Sequence, residues 1–245
     1  MSSYTKTAEV QEGEILGVVG GMGPLASAEF VSRLYKYFSF GSMEQSAPFV
    51  IQYSNPAIPD RSTNFLKGET QCVYDGLLKA LEVLDRAGAT KYVICCFTMH
   101  HVVDQLPSYF KDRIISLVDV TVRSIQRREG KFLFLATKGT HQMKVLEAHQ
   151  DWDKIKDKIC FMSEAHQEAL HGFIYKYLKR GVPPISVSAR VLAIVKQYEV
   201  SGFIAGCTEI HLLTSLGRDE QSFFYPYSII DPLDIIARNP LLVKV

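Results

Sequence analysis

The sequence lacks any long uninterrupted apolar segment. None of its apolar runs approaches the roughly 18 residues of a bilayer-spanning helix. Its first residues, MSSYTKTAEVQEGE, are polar and contain no apolar stretch typical of a secretory signal. We therefore expect a protein that neither contacts a membrane nor is secreted.

An excess of charge of either sign is also missing. Lys and Arg together number 27 and Asp and Glu 26, so the formal net charge is +1. Nucleic-acid-binding domains and polybasic membrane anchors are strongly basic, and the balanced charge argues against both classes. The five cysteines are odd in number and have no framework spacing, which argues against a disulfide scaffold. We expect a reduced, cytoplasmic protein without a nucleic-acid partner.

What the chain does contain is an alternation of apolar runs with two different periods. Its 245 residues, 47% of them hydrophobic, suffice for one large or two small domains. EILGVVGGMGPL predicts a strand and a glycine loop, and the segment after it has the spacing of a helix. FVIQYS, TQCVYDGLLKALEVLDRAGA and YVICC then predict strand, helix and strand. This βαβα order predicts an α/β fold with a parallel sheet flanked by helices.

The second half repeats this order. KFLFLAT and GFIAGC predict strands, and residues 163–180 and VSARVLAIVKQYEV predict helices. Aligning Cys96 with Cys207, 111 residues apart (207 − 96), superposes Leu81 on Leu192. We therefore expect two pseudo-symmetric lobes with the site in the cleft between them. The expected division is a flexible tail at 1–14, an N-terminal lobe at 15–115 completed by about 223–245, and a C-terminal lobe at 116–222.

The loops that follow the strands are where ligands bind in parallel α/β sheets. Two facing lobes would place Cys96 and Cys207 on opposite sides of one cleft. Each stands at a strand end near the start of a helix, where the helix dipole and unpaired N–H groups lower a thiol pKa. Cys95 is adjacent to Cys96, so its side chain should point the other way and pack inside.

The glycine loop has three readings. Gly21, Gly23 and Ala26 fit the dinucleotide pattern G-x-G-x-x-A. That pattern needs an acidic residue at the end of the second strand, where this chain has Ser54 and Asn55. A loop that binds a carboxylate through its free N–H groups is favoured. The other readings are a nicotinamide site and a tight turn without a ligand.

Histidines suggest a rival chemistry. Cys96 with His100 and Cys207 with His211 both read C-x-x-x-H. Four such groups could form a Cys₂His₂ zinc site. The histidines could instead hold a thiolate, or be ordinary core or surface residues.

Two cationic positions also have alternative readings. Asp60 and Arg61 follow two prolines in a loop. If that loop faces the cleft, Arg61 can clamp a carboxylate with both ends of its guanidinium. Otherwise the pair is ordinary surface. Lys179, before Gly181, can equally be a cationic helix end that suits the helix dipole.

Together these loops resemble the aspartate/glutamate racemase family, which is independent of pyridoxal phosphate. The resemblance runs from residue 15 to about residue 237. Its motifs are GGMGPLA at 20–26, NPAIPDR at 55–61, CFTMH at 96–100, ATKGT at 136–140, GCTEI at 206–210 and DPLDIIA at 231–237. It implies two pseudo-symmetric α/β lobes, a homodimer, no cofactor and no metal. The implied reaction is exchange of the Cα proton of an acidic amino acid, aspartate or glutamate, between two opposed cysteines.

Residue roles follow from this resemblance by position. Cys96 and Cys207 are the implied catalytic bases. The implied substrate-binding residues are Met22, Gly23, Asn55, Asp60, Arg61, Phe97, Thr98, Thr137, Lys138, Thr140, Lys179, Thr208 and Glu209.

Two positions depart from the family pattern. The family usually reads Cys-Asn-Thr at the first cysteine, where this chain has Phe97, and Ala-Thr-Thr-Gly-Thr where it has Lys138. We interpret Phe97 as an apolar wall and Lys138 as an added cation facing the cleft, which would alter substrate selectivity. Alternatively, Phe97 points into the core. The rival functions are a non-catalytic sensor of an acidic amino acid and a related isomerase with a different substrate.

Overall fold

A computed structural model describes residues 14–39, 45, 47–214 and 223–239. Apart from residue 14, the expected N-terminal tail lies outside these residues. Within them the chain forms two parallel β-sheets flanked by helices, which confirms the predicted α/β class. No helix in the described ranges combines the length and the apolar character needed to cross a bilayer.

The first sheet comes from the N-terminal half of the chain. Its strands are β1 (Ile15–Gly20), β2 (Phe49–Ser54) and β3 (Lys91–Ile94), in the spatial order β2-β1-β3 and all parallel. Its helices are α1 (Pro24–Ser39), α2 (Arg61–Leu66), α3 (Thr70–Arg86) and α4 (Ser108–Lys111), with a 3₁₀ segment at Thr98–Gln105. Helix α3 forms because Val73, Leu77, Ala80, Leu81 and Leu84 share one face, and all five are buried against the sheet.

The second sheet comes from the rest of the chain. Its strands are β4 (Phe132–Leu135), β5 (Ile159–Cys160), β6 (Gly202–Ala205) and β7 (Ser228–Ile230), in the order β5-β4-β6-β7 and all parallel. Its helices are α5 (Leu117–Gln126), α6 (Lys138–Gln142), α7 (Glu164–Lys176), α8 (Ile185–Val195), α9 (Ile210–Thr214) and α10 (Pro232–Arg238). Short 3₁₀ turns lie at Trp152–Lys154, Lys156–Lys158 and Leu178–Arg180.

A common hydrophobic core joins the two sheets. Leu16 and Val18 of β1 belong to the same buried cluster as Phe132 and Phe134 of β4. Helices α1, α5 and α10 complete this middle layer. Both sheets pack on this one core. The carboxyl ends of their central strands therefore lie close to each other.

The C-terminal segment divides between the two halves. It was expected to complete the N-terminal lobe, but β7 pairs with β6 in the second sheet, with Phe203 opposite Ile229. Helix α10 does pack against α1, where the Arg33 guanidinium donates to the Asp234 carboxylate at 3.0 Å. A strand and a helix close together in sequence thus join different neighbours. The lobe boundary near residue 115 stays a prediction.

Candidate active site

Cys96 and Cys207 line one cavity between the two halves of the chain. Cys96 follows β3, Cys207 follows β6, and each is only 5% exposed. The cavity has a volume of ≈ 10 Å³, about the room of one water molecule. Its lining consists of Met22, Arg61, Ser62, Cys96, Phe97, Thr98, Thr137, Tyr175, Lys179, Cys207, Thr208 and Glu209.

The two cysteines begin equivalent turns. The Cys96 carbonyl accepts from the N–H of Met99 at 3.3 Å, and the Cys207 carbonyl accepts from that of Ile210 at 3.0 Å. Both pairs have the same sequence separation. The Thr208 hydroxyl then donates to the Cys95 carbonyl at 3.3 Å, so the two cysteine loops touch. Cys95 itself is fully buried, and burial raises its pKa.

Arg61 places a buried cation beside Cys96. It is the first residue of α2, whose N-terminus is capped by the Asp60 carboxylate accepting from the N–H of Thr63. One terminal nitrogen of Arg61 donates to the carbonyls of Ile58 (3.2 Å) and Pro59 (2.9 Å), and the other donates to the carbonyl of Met22. Three of its five N–H groups are therefore committed to backbone. Bidentate binding of a carboxylate by Arg61 stays a prediction.

The guanidinium of Arg61 is surrounded by acidic groups. Burial alone would lower its pKa, but Cys96, Asp60 and Glu209 hold it above the ordinary value. Its Nε–H has no hydrogen-bond partner among the described residues. A cation in this position stabilises an anionic group of a ligand in the cavity.

Cys207 lies beside a negatively charged group. Its thiol donates to Glu209 Oε2 at 2.8 Å. Burial and the Glu209 carboxylate both raise the pKa of Cys207 well above its ordinary value. The site therefore sets a guanidinium beside one cysteine and a carboxylate beside the other, and it holds Cys207 as a neutral thiol.

Lys179 lines the cavity and lies between two carboxylates. Its Nζ lies 3.6 Å from Asp60 Oδ2 and 3.9 Å from Glu209 Oε1, and 4.2 Å from the centre of the Tyr175 ring. Burial and Arg61 act to lower the pKa of Lys179, but Glu209, Tyr175 and Cys207 leave it raised. The Tyr175 hydroxyl donates to Asp60 Oδ2 at 2.8 Å. Asp60 does not line the cavity itself, yet it anchors two residues that do.

Tyr175 and Ser62 are absent from the sequence-predicted site. Tyr175 stands four residues before Lys179, a helical spacing that could have placed both on one face. Ser62 directly follows Arg61, and its hydroxyl donates to Thr137 at 3.2 Å. Thr137 in turn bonds Thr140 at 2.9 Å, so Thr140 supports the lining without reaching it.

Lys138 and Asn55 were expected to contact the substrate, but neither lines the cavity. Lys138 forms an ion pair with Glu168 of α7, because the first turn of α6 points it toward that helix. The Asn55 side chain accepts from the N–H of Ala57 at 3.0 Å and so fixes the proline-containing turn. Their roles are in the framework around the cavity.

Phe97 borders the cavity but packs into the core. It is 1% exposed, and its ring lies edge-on to Phe134 with centroids 5.7 Å apart. This position matches the alternative interpretation, in which the ring fills the core. It differs from the expected position, in which the ring forms a wall that faces the substrate.

His100 and His211 hold backbone and carboxylate groups. His100 Nε2 accepts from the N–H of Leu117 at 3.0 Å, so Nδ1 carries the proton and donates to the Cys96 carbonyl at 3.1 Å. His211 Nδ1 bonds Asp231 at 2.7 Å. Neither ring holds a thiolate. Among the described residues, no group of three or more His, Cys, Asp and Glu side chains could hold a metal ion.

The fold and the site define a class: a two-sheet α/β protein with a cysteine at the end of a central strand in each half. A family model described as Asp/Glu/Hydantoin racemase matches residues 19–239. The chain belongs to this racemase family, which confirms the resemblance found in the sequence, and it is an enzyme of the racemase class.

Solved structures share the fold. Aspartate racemase of Picrophilus torridus superposes with a TM-score of 0.76 at 21% identity, over 92% of this chain and 91% of that one. An aspartate racemase homologue of Pyrococcus horikoshii gives 0.68 at 22%, over 92% and 96%. A glutamate racemase isoform of Bacillus anthracis gives 0.57 at 15%, over 93% and 80%.

The His100 ring makes stability depend on pH. Burial lowers the pKa of His100 to about 4, from 6.5 for an unperturbed ring. The neutral ring therefore contributes its full stability above pH 6.5, and this contribution is lost as the pH falls toward 4. We expect the free energy of unfolding to drop by up to about 3 kcal/mol across this window. Urea unfolding at pH 7, 5.5 and 4.5 should show a flatter dependence for His100→Gln. Parallel curves for both proteins would contradict the assignment.

Phe97→Asn tests the position of the ring. Removing it leaves a cavity beside Phe134 and buries an amide, so the free energy of unfolding should fall by about 3–5 kcal/mol. The ranking of aspartate and glutamate as substrates should not change. Kinetics beside a melting curve decide the matter: a higher kcat/KM for aspartate at an unchanged Tm would show that Phe97 is a selectivity wall after all.

Proposed function

We propose that the protein racemises an acidic amino acid, aspartate or glutamate, by exchanging the Cα proton between Cys96 and Cys207 without a cofactor. The observation that carries the proposal is that the two thiols line one cavity from the ends of strands in different sheets. Racemisation needs a base on one face of Cα and an acid on the other. A thiolate and a thiol meet both needs and exchange roles after each turnover.

The unequal charges assign the starting roles. The Arg61 guanidinium lies beside Cys96, while Glu209 keeps the proton on Cys207. In this state the Cys96 thiolate takes the Cα proton, and the Cys207 thiol gives its proton to the opposite face. The product complex then holds a Cys96 thiol and a Cys207 thiolate, which is the starting state for the reverse reaction.

Arg61 and Lys179 supply the electrostatic help that this chemistry needs. A Cα–H bond is very weakly acidic, so the carbanion forms only beside fixed positive charge and away from water. The free Nε–H of Arg61 can bind the α-carboxylate. Lys179 can bind the side-chain carboxylate in place of Asp60, which lies 3.6 Å away.

Substrate entry requires movement. A cavity of ≈ 10 Å³ is far smaller than an amino acid. The contacts of Asp60 with Tyr175 and Lys179 join the first half of the chain to the second beside this cavity. Opening these contacts admits the substrate, and closing them afterwards excludes water.

Racemase activity should appear with the purified protein alone. We expect conversion of L- to D-aspartate or glutamate without pyridoxal phosphate, nucleotide or metal, followed by chiral chromatography. Cys96→Ala and Cys207→Ala should each lose at least about a thousandfold in kcat, since either removes one of the two proton-transfer groups.

The matched control is Cys95→Ala, a truncation of the neighbouring buried thiol. It should stay within about tenfold of wild type, with some loss of stability. Activity that requires pyridoxal phosphate or disappears with chelators would refute the thiol mechanism. Complete loss in a folded Cys95→Ala protein would show that the wrong cysteine had been chosen. Binding of the amino acid without any turnover would favour the rival function of a non-catalytic sensor.

A further inference from the structure

Two unpartnered buried atoms belong to residues that line the cavity. Among the described residues, the buried side-chain atoms without a hydrogen-bond partner are Arg61 Nε, Glu147 Oε2, Glu209 Oε1 and His211 Nε2. Arg61 and Glu209 both line the cavity between the cysteines. Burying a polar group without a partner destabilises the protein, and more so when the group is charged. A ligand that supplies both partners would offset this destabilisation.

The two atoms require hydrogen-bond partners of opposite kinds. Arg61 Nε offers an N–H donor on a cation, and Glu209 Oε1 offers an acceptor on a carboxylate. An α-amino acid carries a carboxylate and an ammonium on the same carbon. A hydantoin, whose ring nitrogens are acylated and uncharged, has no ammonium to offer.

Glu209 Oε1 is buried and accepts no hydrogen bond from the described residues. The other oxygen, Oε2, accepts from the thiol of Cys207 at 2.8 Å and the hydroxyl of Thr208 at 3.5 Å. Lys179 Nζ is 3.9 Å from Oε1, beyond hydrogen-bond distance. Gly23 leaves room for the carboxylate, because a Cβ at that position would overlap Oε1. Glu209 is 3% exposed, so bulk water does not satisfy it.

We infer that Glu209 Oε1 receives the α-ammonium of the substrate and restricts the site to free amino acids, excluding hydantoins and N-acylated or N-carbamoyl amino acids. The inference deepens the proposed function, on which its catalytic meaning rests. Glu209 is thereby a specificity-determining residue that contacts both the substrate and Cys207.

Ammonium binding also affects Cys207. The Glu209 carboxylate is one of the groups that raise the pKa of Cys207. An ammonium on Oε1 offsets this negative charge and makes the Cys207 thiolate easier to form, as the reverse reaction needs. The ammonium then lies near Lys179, and the substrate carboxylates compensate the two positive charges.

Binding affinities test the ammonium requirement separately from the rate of racemisation. Isothermal titration would compare L-aspartate with succinate and L-glutamate with glutarate, pairs that differ in the α-ammonium. Wild type should prefer an amino acid to its matched diacid by about ten- to a hundredfold, the range for a hydrogen bond to a charged group. In Glu209→Gln the preference should fall to within about threefold, whereas Glu209→Asp, which keeps the carboxylate, should retain part of it.

Glu147→Gln is the matched control, because it alters a half-buried glutamate whose Oε2 is buried without a partner and which does not line the cavity. It should keep the wild-type preference. Wild type binding succinate as tightly as aspartate, or a folded Glu209→Gln with its preference intact, would overturn the inference.

A second measurement separates this inference from the proposed function. Exchange of the Cα hydrogen in D₂O would be followed for aspartate and for N-carbamoyl-aspartate with wild type. Exchange of aspartate alone is expected. An ammonium-dependent binding preference without exchange would refute racemisation and leave the role of Glu209 standing. Equal exchange of both compounds would support racemisation and overturn the role of Glu209. The absence of both the binding preference and the exchange would overturn both proposals.

Discussion

The structure depends on the meeting of two strand ends in one shared core. The ends of β3 and β6 belong to different sheets, yet Phe97 after β3 packs edge-on to Phe134 of β4. The hydroxyl of Thr208 after β6 reaches the Cys95 carbonyl. These contacts fix the two cysteine loops against each other before any ligand binds. A pair of reactive groups on opposite sides of a substrate needs such a rigid frame, because misplacement by about 1 Å can cost a hundredfold in rate.

The two thiols held by this frame lie beside charges of opposite sign. Arg61 is neutralised by no single carboxylate; it is held by backbone carbonyls and faces Cys96, Asp60 and Glu209 together. The thiol of Cys207 instead donates a hydrogen bond to the carboxylate of Glu209. The low exposure of these groups strengthens both effects, since a buried charge is poorly screened by water. The site itself therefore keeps the Cys207 thiol protonated, because both burial and Glu209 raise the pKa of Cys207.

Sequence patterns predicted the parts of the molecule that local physics decides. Strands β1, β2, β3, β4 and β6 and helices α1, α3, α7 and α8 follow from periodicity, and the parallel sheets follow from their order. The equivalence of Cys96 with Cys207 follows from repetition. The partners of individual side chains did not follow. Nothing near Arg61 in the sequence indicates that one of its terminal nitrogens would donate to the carbonyl of Met22, 39 residues away, or that Lys138 would pair with Glu168. The pairing of β7 with β6 and the contact of Tyr175 with Asp60 likewise join distant segments, and only the packed fold decides such contacts.

The isotopic composition of substrate and product early in the reaction tests the two-cysteine account most directly. L-aspartate or L-glutamate would be incubated with wild type in D₂O, and both enantiomers recovered after a few per cent conversion. With a separate acid on the opposite face, the D product carries deuterium at Cα while the recovered L substrate keeps its protium. Deuterium entering the L substrate as fast as the D product would mean that one group serves both faces, and it would contradict the account.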